Sequence, residues 1–110
     1  MSNVAVLDNL RTLAFGSISG NYAAVGTPIS SPARLICFTN DTDADMFFSD
    51  DGVNNKLFVA KGSYKLFDIT TNRDAYDSYM ALRAGTQFYV KQSSAPGSGA
   101  VYIEVIYGES

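Results

Sequence analysis

Val101-Tyr-Ile-Glu-Val-Ile-Tyr107 alternates along its length: Val101, Ile103, Val105 and Tyr107 share one side, Tyr102, Glu104 and Ile106 the other. A period of two is the mark of a β-strand with one face on a core, and Glu104 marks the outward face. The same pattern recurs in Gln87-Phe-Tyr-Val-Lys-Gln92, where Phe88 and Val90 oppose Tyr89 and Lys91. In Arg34-Leu-Ile-Cys-Phe-Thr-Asn40 both sides are apolar, Leu35 and Cys37 against Ile36 and Phe38. That is expected of a central strand covered on both faces or of an assembly surface.

Further short runs of β-branched, aromatic and aliphatic residues stand between Gly, Pro, Asn, Asp and Ser clusters, at Thr12–Ile18, Tyr22–Val25, Met46–Ser49, Lys56–Val59 and Ser63–Asp68. Strand starts about ten residues apart fit an all-β fold, a single antiparallel β-sandwich with jelly-roll-like winding, better than alternating strands and helices. Asp50-Asp-Gly52 with Asn54-Asn55, and Lys61-Gly62, supply tight-turn chemistry. Ser93 to Gly99 reads as a solvent loop. Residues 73–82 are either a short helix, capped by Thr71 or Asn72, or a loop. Residues 1–33, rich in Gly, Pro and Ser, are either an extended N-terminal arm or an edge strand with long loops. The 110 residues are read as one β domain.

Composition excludes most catalytic equipment. With 46% hydrophobic residues, the chain can bury a core. It has no histidine and one cysteine, which removes histidine-based triads, multi-cysteine zinc sites and intramolecular disulfides. Gly16-Ser-Ile-Ser-Gly20 has Ile18 where a nucleophile elbow needs serine. The expectation is no enzyme, no cofactor, no membrane span and, with a net charge of -3 and no basic cluster, no nucleic-acid partner. The N-terminus lacks the basic start of a secretory signal, so synthesis in the cytoplasm is expected. Cys37, inside an apolar run, reads as a small buried hydrophobe.

Asp41, Asp43 and Asp45 alternate as at the start of a calcium loop, but Met46 and Gly52 stand where that motif needs Gly and Glu. With Asp50 and Asp51 they are weak metal candidates, set against the plainer role of capping turn N–H groups. Of the fourteen aromatics, Phe38, Phe47 or Phe48, Phe58, Phe67 and Phe88 are expected in the core. Phe15, Tyr22, Tyr89 and Tyr102 are the interface candidates.

Several stretches in order carry a resemblance: Phe15-Gly-Ser-Ile-Ser-Gly20, Arg34-Leu-Ile-Cys-Phe-Thr-Asn40, Phe48-Ser-Asp-Asp-Gly52, Lys65-Leu-Phe-Asp-Ile-Thr70, Gly85-Thr-Gln-Phe-Tyr-Val-Lys91 and Val101-Tyr-Ile-Glu104. Together they resemble small virion proteins of tailed bacteriophages. The resemblance implies a noncatalytic structural protein in the virion that decorates or cements the capsid. Its partners would be the major capsid protein or other virion proteins, and its state a homo-oligomer, with a trimer favoured. A head-to-tail connector or tail adaptor is the alternative in that class. A carbohydrate-binding module, calcium-assisted through Asp41 to Asp51, is the alternative from another class.

Overall fold

The computed structural model describes residues 4–69 and 82–109. Among the described residues nine strands carry the fold: β1 Val4–Leu7, β2 Arg11–Ala14, β3 Ala23–Ala24, β4 Ala33–Thr42, β5 Met46–Ser49, β6 Leu57–Val59, β7 Ser63–Asp68, β8 Tyr89–Gln92 and β9 Gly99–Glu109. The larger sheet runs β1-β9-β4-β7, with β2 following β1 along the same edge of β9; the smaller runs β3-β8-β5-β6, and every pairing is antiparallel. The chain crosses between sheets at every connection except β1 to β2 and the β5–β6 hairpin. Two antiparallel sheets in a nearly all-β chain are compatible with the β-sandwich expected from the strand spacing.

Alternation decides what lies inside. Ile36 and Phe38 of β4 and Val101, Ile103 and Val105 of β9 turn inward from the larger sheet, and meet Met46, Phe48, Val59 and Val90 of the smaller one. Phe38 sits at the centre, its ring 5.3 Å from Phe48 and 5.4 Å from Phe88, the latter edge-on. Such edge-to-face packing adds to the burial of the rings themselves. Tyr107, on the same side of β9 as Val105, is only half-buried.

Residues 4–33 are integrated with this core. β1 and β2 pair with β9, β3 pairs with β8, and Ile18, Val25 and Ile29 are buried. Arg11 fastens the segment: buried on the inner side of β2, its guanidinium donates to the carbonyls of Thr27 (2.6 Å), Asn9 (2.9 Å) and Pro28 (3.0 Å), and it pairs with Asp8 at 3.2 Å. A buried guanidinium is tolerated because its donors are spent on carbonyls and a carboxylate.

Some expectations need correction. The strand read from Thr12 to Ile18 ends at Ala14 and gives way to a 3-10 turn, Phe15–Ser17, after which Ile18 drops into the core. Phe58 and Phe67 are not core residues. Phe58 is 43% exposed because it pairs with Phe47 on the outer side of the smaller sheet, opposite to Val59, and Phe67 is 37% exposed because β7 is an edge strand. Cys37 is half-buried, since the β4 face that carries it has no layer of described residues over it. The reading of residues 73–82 as helix or loop lies outside the described residues, apart from Leu82, which bridges to Ala33.

Candidate functional site

The five carboxylates of the 41–51 region lie on the end of β4 and in the two turns that flank β5, and do not converge. Asp43 Oδ1 accepts the Gly97 N–H at 2.7 Å, which pins the loop before β9. Asp45 Oδ1 accepts the Lys61 N–H at 2.9 Å and so holds the turn between β6 and β7. Asp50 pairs with Lys56 at 3.2 Å, while Asp41 is an exposed member of β4. Asp51 organises its own loop, accepting from the Ser49 hydroxyl and from the N–H groups of Val53 and Asn54. The Ser49 hydroxyl, with those N–H groups and the Asn54 side-chain amide, holds the Asp51 carboxyl far below the usual carboxylate range. Among the described residues, no group of three acids or thiols could hold a metal ion.

The four interface candidates do not share a surface. Phe15 is exposed on the 3-10 turn after β2. Tyr22 donates its hydroxyl to Asn55 Oδ1 at 2.6 Å and lies 5.0 Å from Lys91 Nζ; partial burial, and then Asp51, raise its hydroxyl above the usual tyrosine value. Tyr89 packs its ring beside Gly52. Tyr89 is in β8 of the smaller sheet, and Tyr22 immediately precedes β3 of the same sheet. There, Lys91 also approaches the ring of Phe47, which meets Phe58 at 59°. Tilted and engaged rings of this kind present no flat platform for a sugar.

Tyr102 belongs to a different surface, the outer face of the larger sheet. The register builds that face in rows. Leu7, Ile106 and Leu35 stand side by side on β1, β9 and β4, ending in Asp68 on β7. The next row is Glu104, Cys37 and Leu66, and the third is Thr12, Tyr102, Thr39 and Tyr64. Leu7 is 79% exposed, Tyr64 66% and Leu66 59%. Leu7, Leu35, Cys37, Leu66, Glu104 and Ile106 line a groove of about 370 Å³ in its middle. Exposed apolar side chains gathered on one face, unlike scattered ones, are uncommon on a free protein surface. The sequence held half of this signal, in the mixed outer face of Val101–Tyr107 and the two apolar sides of Arg34–Asn40. Leu7, Tyr64 and Leu66 were missed because only strand order and register bring them alongside.

No protein-family model matches the chain, and no curated protein does. Among solved structures, the chain is similar to a Bacillus endospore appendage subunit, of a family of disulfide-linked pili, at a TM-score of 0.50 and 16% identity, covering 100% of this chain and 93% of that one. It is also similar to the Dit protein of phage SPP1, a hub adsorption apparatus protein, at a TM-score of 0.43 and 11% identity, covering 94% of this chain and 49% of the other. The first likeness concerns the fold alone; the second is too slight to bear on it.

Proposed function

We propose that this protein is a noncatalytic structural subunit of a tailed-phage particle, decorating or cementing the head through the outer face of its larger sheet. The observation that carries the reading is that face: Leu7, Leu35, Leu66 and Ile106 laid side by side, flanked by Tyr64 and Tyr102. Aromatic and aliphatic side chains in a contiguous patch with a polar rim are what protein interfaces use. The virion itself comes from the sequence resemblance. Particle assembly suits such a face, because several weak copies acting on one lattice hold far more strongly than one.

A disulfide-linked filament is disfavoured for this chain. Each subunit of such a filament needs a thiol toward each of two neighbours, and residues 1–110 carry Cys37 alone.

The test is the copy number of the polypeptide per purified virion of the phage that encodes it, by quantitative mass spectrometry against the major capsid protein. Hundreds of copies are expected. Six or twelve would move the protein to the neck or tail, and absence from particles would overturn the virion reading.

A further inference from the structure

We infer that the groove on the outer face of the larger sheet receives a different protein, by a segment that presents an aliphatic side chain beside a lysine or arginine. The inference rests on the proposed role of this face and adds the chemistry of what covers it.

Glu104 carries the argument. It stands on β9 directly across from Cys37, with Leu66 beyond it on β7 and Ile106 two residues along its own strand. The groove lining includes two carboxylates, Asp8 and Glu104, and no basic side chain among the described residues. Asp8 is already matched by Arg11. Glu104 makes no ion pair and no side-chain hydrogen bond among the described residues, and water satisfies it only while the face stays open. A purely apolar partner would strip that water from an unpaired charge, which is unfavourable. A partner that brings a cation to the same spot turns the penalty into a charge-assisted contact, and aliphatic atoms beside it fill the space between Leu7, Leu35 and Leu66.

The same charge weighs against a second copy as the occupant. A two-fold contact places the same patch on both sides, so each Glu104 would approach its twin across an apolar groove. Each chain also carries a net charge of -3. A heterologous partner escapes both.

The experiment uses the full chain and particles of the encoding phage prepared without it, with binding followed at increasing salt. Wild-type protein is expected to bind, and to bind more weakly as salt rises. Glu104→Lys should lose at least tenfold in affinity, and Glu104→Gln should lose part of it together with most of the salt dependence. Leu66→Ser should weaken binding at all salt concentrations, whereas Phe58→Ser on the smaller sheet should not. Unchanged thermal melting of the Glu104 variants confirms that the loss is one of docking. Undiminished binding by Glu104→Lys, with wild type bound, overturns the basic-partner inference and leaves the virion reading standing. Dimers of the wild type in sedimentation that Leu66→Ser abolishes would overturn it in favour of self-docking. Failure of the wild type to bind any particle overturns the virion reading, and the inference with it.

Discussion

The side-chain amide of Asn40, wholly buried, donates 2.9 Å to the carbonyl of Val59, tying the central strand of the larger sheet to the edge strand of the smaller. The same amide donates to Ala44 O, and its oxygen accepts from the N–H and hydroxyl of Thr42. All four of its hydrogen-bonding positions are used, at the corner where β4 passes into β5. Asn40→Leu fills the volume but abandons these partners at about 1–3 kcal/mol for each buried group left alone. A urea titration should show a loss of at least about 3 kcal/mol; near wild-type stability would mean that the corner is not sealed.

Gly99 opens β9 at a φ of 90°, and a Cβ there would run into the Asp41 carbonyl. Gly62 has a similar φ of 69° but open space around it. Gly62→Ala is therefore expected to cost only the left-handed strain, about 1–2 kcal/mol. Gly99→Ala should cost more than about 4 kcal/mol, the range of single changes with a specific steric cause. Equal melting temperatures for the two variants would refute the difference.

Phe38 and Phe67 touch, ring centres 6.1 Å apart, yet differ in depth. Phe38→Ala should destabilise by about 3–5 kcal/mol. Phe67→Ala, on an exposed edge strand, should cost about 1–2 kcal/mol. Chemical denaturation of both variants checks the ranking, and a reversal would place the centre of the core at the wrong ring.

Acidification should loosen the 49–54 loop. The folded Asp51 carboxyl has a depressed pKa, so it contributes its full stabilisation above the ordinary carboxylate value. That contribution fades as pH falls below that value toward the depressed one. Because the group is exposed, the effect is local and small. Protection of the Val53 and Asn54 amides, meaning their exchange rate relative to the intrinsic rate at the same pH, should fall at low pH in the wild type and be low at all pH values in Asp51→Ala. Protection that does not change with pH in the wild type would show that the carboxylate does not hold the loop.

Removal of residues 1–7 deletes β1, whose side chains are mostly exposed. It should lower the melting temperature by roughly 4–8 °C, as a loss of about 1 kcal/mol does in a domain of this size. Removal of residues 1–20 also takes Arg11 and Ile18, and should abolish cooperative melting. A cooperative transition in the longer deletion would mean that residues 1–20 form a separable arm.

Much of the architecture was legible because it is local. Met46–Ser49 and Ser63–Asp68 match the observed strands at both ends, each bounded by turn residues that close a hairpin or corner. Val4–Leu7 was not legible: four apolar residues in a row show no period, and only pairing with β9 makes them a strand. Phe67 is exposed for a related reason, since strand order decides whether an aromatic lies at the centre of a sheet or its edge, whereas Phe58 is exposed because Leu57 and Val59 take the inner face of a three-residue strand. The outer face of the larger sheet was half legible. Tyr102, Glu104 and Ile106 announced a mixed surface, but Leu66 joins it only through its register opposite Cys37.

Cys37, half-buried between Glu104 and Leu66, is the only thiol in the chain. The groove thus carries a built-in chemical gauge. A thiol reagent reaches Cys37 while the face is open to solvent and is shut out once a partner covers it. The rate of labelling then reports, without a tag or a substitution, what fraction of the molecules is engaged at any stage of assembly.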